Sequence, residues 1–252
     1  MATVTPLPVA TIPPLGRTEA ELLARTEYRR FLDLLRGLRP EDWDRPTDCD
    51  RWTVKDVASH IVGETESFAS LREFAHQWRL GPAAQREIGA PEFVDGVNEV
   101  QVRERRHLSG HQLAEQLAAC MDKATRGRLS LPALVRAVPV PFGKPIGWRP
   151  VRYLVDQVIT RDVWMHRIDI GRATGTAPLL TADHDGRLVA DIVADWAGTH
   201  ADPFLLELTG PAGRTYVRGE PALPTRIDAV EFVRILSGRA AGQGVLTHSL
   251  PL

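Results

Sequence analysis

In the segment Arg161-Asp162-Val-Trp-Met-His166-Arg-Ile-Asp169, Asp162 and His166 stand four residues apart. On a helix that spacing places one side chain above the other, so a carboxylate oxygen and an imidazole nitrogen can be aimed at a single point, as in metal-binding helices of bundles. The helical line through Val151, Val155, Val158 and Ile159 is apolar. Continued by threes and fours it reaches Asp162, Met165, His166 and Asp169, so three polar groups occupy a stripe that a core would otherwise fill. Two ligands do not hold a transition metal firmly. His60, between the apolar positions Val57 and Ile61 of an earlier helical pattern, offers a third. Glu64 lies one turn further on the same side, as a ligand or as a hydrogen-bond partner of one, and Asp169 is placed for the same supporting role. Spacing also allows a metal-free reading, with the histidines hydrogen-bonded in a core and Asp162 paired with Arg161, Arg167 or His166. The remaining histidines add no second site: His107 and His111 straddle a helix boundary, and His76, His184, His200 and His248 are isolated and expected to be solvated.

The elements that carry these residues are read from periodicity. A helix is expected from Thr18 to Leu38, with Thr18 and Glu21 as a capping box. An Asp-, Pro- and Arg-rich loop covers 40–51, and Thr53 caps a second helix running to about Trp78. Gly81, Pro82, Gly89 and Pro91 interrupt it. A further helical stretch, 97–106, leads to Ser109, the cap of a third long helix. The segment 130–150, with five prolines, reads as loop, and Pro150 opens a fourth helix to about Arg172. Four long helices imply a bundle. Beyond Gly175 come a helix over 181–196, a hairpin from Phe204–Gly210 and Arg214–Arg218, and a last helix over 227–237 that ends at Gly238. The expected organisation is a flexible Pro-rich extension over 1–17, a helical bundle over 18–177 and a small α+β domain over 178–252.

With 252 residues the chain can bury a core, and Lys+Arg 31 against Asp+Glu 32 leaves a formal net charge of -1, so no basic field exists to hold a nucleic acid. No stretch approaches the ~18 uninterrupted apolar residues of a membrane span. The leader lacks a signal peptide's basic start, and Cys49 and Cys120 could form at most one bridge, so a cytoplasmic protein is expected. No long apolar stripe is left over once the bundle is built, which favours a monomer.

The run Cys49-Asp-Arg-Trp52-Thr-Val-Lys-Asp56-Val-Ala-Ser-His60, the Arg161–Asp169 segment and the closing Phe232-Val-Arg-Ile-Leu-Ser-Gly238-Arg239 together resemble the mycothiol-dependent maleylpyruvate isomerase family of the DinB-like superfamily. The resemblance extends from about Thr18 to the C-terminus. It implies a mainly α protein, a DinB-like four-helix bundle with a small α+β C-terminal domain. It also implies a divalent metal, usually zinc, on His60, Asp162 and His166, through which these residues are catalytic. Asp162 departs from the family's pattern, which has Glu there. Three protein ligands leave an open coordination position, the arrangement of a catalytic site. The expected ligand is mycothiol or a similar low-molecular-weight thiol, activated as a thiolate against an electrophilic small molecule, with isomerisation or S-transfer as the outcome. A metal-water hydrolase with Glu64 as base and a non-enzymatic small-molecule binder with a weakened site are the alternatives.

Other residues carry weaker readings. Arg239 could clamp a substrate carboxylate or pair with Asp228 or Glu231. Asn98 could bind polar cofactor groups or cap a helix, and Trp148 could line a substrate cleft. Trp52 is expected to plug the entry of the second helix, and Cys49 and Cys120 to pack.

Overall fold

The computed structural model describes residues 5–220 and 223–250. In chain order the elements are β1 (Leu7–Pro8), α1 (Arg17–Gly37), α2 (Val54–Ala69), α3 (Leu71–Ile88), α4 (Phe93–Arg105), α5 (Gly110–Leu129), α6 (Ala133–Ala137), β2 (Pro139–Pro141), β3 (Trp148–Pro150) and α7 (Val151–Tyr153). A π-helical turn, Leu154–Val158, joins α7 to α8 (Ile159–Thr174). There follow α9 (Asp185–Ala197), β4 (Phe204–Thr209), β5 (Thr215–Arg218), β6 (Pro224–Asp228) and α10 (Ala229–Leu236). The protein is mainly helical, with a small sheet, as its sequence predicts. It divides into two compact units.

The first unit comprises Ala24–Arg136 and Asp162–Pro178. Its core joins Tyr28, Phe31 and Leu35 of α1, Val54, Val57, Ile61 and Val62 of α2, Leu113 and Leu117 of α5, and Val163 and Ile170 of α8. Each such side chain contributes about 1.5–3 kcal/mol by leaving water. Side-chain caps fix where the helices start: Thr53 Oγ1 accepts from Asp56 N while Asp56 Oδ2 accepts from Thr53 N, and Ser109 with Gln112 does the same for α5. The facing of α8 is set by charge. Arg167 donates through Nε to Glu27 Oε1 at 2.5 Å, and both side chains are buried. Glu27→Ala would leave that guanidinium buried without its counter-charge, and denaturant unfolding should show a loss of about 3–5 kcal/mol. A loss below about 1 kcal/mol, the scale of an exposed pair, would contradict this account.

The second helix stops earlier than its periodicity suggests. Ser70 takes φ -147° and ψ 115° and accepts from Glu73 N, so α3 begins anew. That helix then runs through Gly81 and Pro82 to Gly89, in the left-handed conformation at φ +64°. The reason is tertiary: a Cβ on Gly96 would lie 2.1 Å from Gly81 O, and one on Gly81 would lie 2.8 Å from Val97 Cγ2. These glycines allow α3 and α4 to touch backbone to backbone, and that packing outweighs their breaking tendency. The stretch 130–150, expected as loop, contains α6 and the antiparallel pair β2–β3.

The second unit takes the described residues up to Leu23, Ala137–Arg161 and those from Leu179 onward. Its sheet has the order β1-β5-β4-β6. The β4–β5 hairpin is antiparallel, as expected, whereas β6 runs parallel to β4 and has no alternating pattern long enough to be read from sequence. The extension over 1–17 is corrected in its described part: Leu7 and Pro8 pair with Tyr216 and Val217, and Arg187 holds the segment through Pro13 O and Glu19. Proline is compatible with this because β1 is an edge strand, where a missing N–H leaves no ladder bond unmade. Residues 1–4 lie outside the described part. The boundary at 177/178 also differs from the observed division, since 137–161 groups with the C-terminal part. Arg161 binds Asp191 and Asp195, and Tyr153 Oη donates to Asp195 Oδ2 at 2.5 Å. Among the described residues no helix is long and apolar enough to cross a membrane.

Candidate metal centre

His60 lies two turns beyond the Thr53 cap, on the buried face of α2. Its Nε2 is 3.1 Å from Asp162 Oδ2, and His166 Nε2, one turn along α8, is 3.5 Å from Asp162 Oδ1. The three ligand atoms lie within 4.8 Å of one another. With metal–ligand bonds of about 2.0–2.2 Å, neighbouring ligands at a tetrahedral angle are roughly 3.3–3.5 Å apart, so the spacing suits a small divalent cation. Asp162, one methylene shorter than Glu, therefore reaches both imidazoles. Neither neighbouring arginine takes the part the metal-free reading gave it: Arg161 engages Asp191 and Asp195, and Arg167 engages Glu27.

Both imidazoles are anchored from behind. His166 Nδ1 is 3.0 Å from Asp169 Oδ2, a fully buried carboxylate that can only accept, so Nδ1 carries the proton and Nε2 its lone pair. His60 Nδ1 is 2.7 Å from Gln101 Oε1 of α4. Histidine ligands characteristically donate their other nitrogen in this way. The fit to a cation is electrostatic as well as geometric, because Nε2 lone pairs aimed at a carboxylate repel it unless a positive charge lies between them. Burial by itself would push the His60 imidazole down, but the hydrogen bond and charge of Asp162 outweigh it, and the group sits above its ordinary value. Glu64, the next turn of α2, is driven up to about 8 by burial and then by the charge of Asp162, with His60 and Arg128 acting the other way. Its Oε2 makes no hydrogen bond among the described residues, a buried polar atom that an added cation or ligand would satisfy.

His60, Asp162, His166, Asp169 and Glu64 thus lie together. Four further residues belong with them. Trp52, read as a plug, lays its ring 5.0 Å from that of His60 and 5.9 Å from that of His166. Cys49, read as packing, has Sγ 3.6 Å from Asp169 Oδ2, behind His166. Gln101 and Gln77 were missed, because a glutamine in a helical pattern carries no sign of its partner. Asn98 is not a cap: it lies inside α4, one turn before Gln101. Arg239 and Trp148 belong to the other unit. Arg239 is half-buried beyond α10, where Arg234 makes the ion pair with Glu231, and Trp148 is exposed on β3.

Comparison with known proteins agrees with this architecture. The sequence matches the family described as the mycothiol maleylpyruvate isomerase N-terminal domain over residues 24–171. It is 27% identical over 224 residues to the uncharacterized protein Rv0036c of Mycobacterium tuberculosis, covering 83% of this chain and 81% of that one. It is 26% identical over 145 residues to the uncharacterized protein Rv0738 of the same organism, covering 58% of this chain and 62% of the relative. The fold is similar to a crystal structure of the mycothiol-dependent maleylpyruvate isomerase, with a TM-score of 0.57, 15% identity, and coverage of 90% of this chain and 91% of that one.

Proposed function

This chain belongs to the mycothiol maleylpyruvate isomerase N-terminal domain family, and from that membership we propose that it is a metal-dependent enzyme using mycothiol or a similar thiol on an electrophilic small molecule. The observation that carries the reading is the convergence of two imidazole Nε2 atoms on Asp162, with both Nδ1 atoms engaged behind them. His60, Asp162 and His166 would hold the metal, zinc by the chemistry of the donor set. Bound there, the metal would lower a coordinated thiol's pKa from ~8.5 toward neutrality and so supply a thiolate without a protein base.

The chain's own residues do the rest. With a divalent cation held between them, two neutral imidazoles and one carboxylate would leave a net positive site with room for a further ligand, which would select an anionic sulfur. The ring of Trp52 covers both imidazoles and keeps water from them. Glu64 can hold a proton at Oε2, facing no other partner. Asn98, on α4 one turn before Gln101, is a candidate for contact with the substrate. Addition of the thiolate to an activated alkene, rotation about the resulting single bond and expulsion of the thiol is cis–trans isomerisation. Displacement of a leaving group would be S-transfer.

The test is turnover by the purified full-length chain, with its metal content measured alongside. About one divalent ion per chain is expected, together with conversion of a cis-enone diacid such as maleylpyruvate that depends on added mycothiol. A metal-free and inert protein would refute the reading. Turnover without any thiol would replace it with hydrolysis, for which the orphaned Glu64 is the candidate base.

A further inference from the structure

We infer that Gln77, two hydrogen bonds removed from His60, decides which nitrogen of that histidine is free to bind a cation, so that α3 positions a ligand it does not touch. The inference deepens the metal reading above, but its first measurement needs no metal.

The argument is one of donors and acceptors. The Gln77 side-chain nitrogen has two hydrogens, and it lies 2.9 Å from Gly63 O and 2.9 Å from Glu73 Oε1. Both are acceptors only, so the nitrogen is pinned there and Oε1 must point the other way. Gln101 Nε2 donates to that oxygen at 2.9 Å. The other end of the Gln101 amide, Oε1, then faces His60 Nδ1 at 2.7 Å and can only accept, so Nδ1 carries the hydrogen. A neutral imidazole has one such hydrogen, and Nε2 is left with its lone pair toward the cation position.

The relay opposes a real competitor. Asp162, 3.1 Å from Nε2, by itself favours the tautomer with hydrogen on Nε2, which makes a good hydrogen bond and cannot coordinate. Reaching that tautomer requires the Gln101 amide to turn over, which would set its oxygen against Gln77 Oε1. Gln77 is fully buried and Gln101 nearly so, at 0% and 3% exposure, and water cannot easily repair such a clash. The close approach that makes the chain possible depends on Gly63: a Cβ there would lie 2.6 Å from Gln101 Cβ.

Two measurements on the full-length chain test this, with folding of each variant checked by circular dichroism. In metal-free wild type, at the alkaline end of a pH series where the His60 ring signals no longer move, two-bond nitrogen–proton spectra should show His60 with hydrogen on Nδ1. In Gln77→Met the signal should shift toward the Nε2–H form. Affinity for Co2+ should fall roughly tenfold in Gln77→Met and at least as far in Gln101→Met, the scale for losing an outer partner of a ligand. Because Gln77 acts through Gln101, the double variant should match Gln101→Met to within about twofold. Fully additive losses, or a wild-type His60 already protonated on Nε2, would overturn the inference, since a merely structural glutamine would leave the tautomer where it is. A wild type that binds no Co2+ yet shows the Nδ1–H form, lost in Gln77→Met, would uphold the relay while refuting the metal reading.

Discussion

Replacing His60 or His166 by Ala should abolish both metal retention and thiol-dependent turnover, with a fall in affinity well beyond the about 10- to 100-fold that loss of an outer partner costs. The reason is the shortness of the ligand list. Three side chains converge, at 3.1 and 3.5 Å, and Asp162 is common to both close approaches. Removing either imidazole leaves two ligands, too few to hold a divalent ion firmly. Asp162→Asn makes the sharper control, because it keeps the shape of the side chain and removes the negative charge. It should lose metal, whereas Asp162→Glu should retain it. Asp169→Asn should fall between them, since it weakens the anchor of His166 without removing a ligand. Metal analysis after dialysis would decide the matter: His60→Ala and His166→Ala proteins that keep a full equivalent of metal would show that the site is elsewhere.

In the metal-free protein, stability should fall as pH rises from about 5 to about 8, and Glu64→Gln should flatten that dependence. The folded-state carboxyl of Glu64 is raised from 4.5 to about 8, so within this window the folded chain keeps a proton that the unfolded chain has lost. The slope approaches about 1.4 kcal/mol per pH unit, with stability fully present below 4.5 and lost as pH rises through the folded value. His60 acts in the same sense, because its value is raised from 6.5 and its contribution also disappears as pH rises. The lowered carboxyls of Asp42, Glu73 and Asp202 act in the opposite sense but at lower pH, where stability is lost as pH falls through their folded values. Saturating Zn2+ should reverse the trend above about pH 6, since the ion competes with the proton at His60 and favours ionised Glu64. Thermal unfolding of wild type and Glu64→Gln across this range would check it. Parallel curves for the two proteins would remove Glu64 from the account.

Residue types and local spacing were enough to specify much of this protein. The four-residue step from Asp162 to His166 and the place of His60 among Val57 and Ile61 singled out three side chains that lie together in the structure, because helical periodicity fixes which side chains share a face. The Thr53 and Ser109 caps and the β4–β5 hairpin were legible for the same reason: each is made by residues close in the chain. What lay beyond the sequence depends on partners far along it. Gly81 read as a break, yet with Gly96 it serves a close helix crossing that only the approach of α4 reveals. His200 and His248, isolated in sequence, stack at 4.3 Å because the chain returns past the end of α9. The leader gained a strand from a hairpin two hundred residues away, and Arg161, a neighbour of the site in sequence, was taken by Asp191 and Asp195 instead. The chain of hydrogen bonds from Gln77 through Gln101 to His60 likewise joins three helices, and its amides are ambiguous until buried acceptors pin them. A helix determines its own faces from its order of residues, whereas the partner each face meets is fixed only when distant segments close on one another and exclude water.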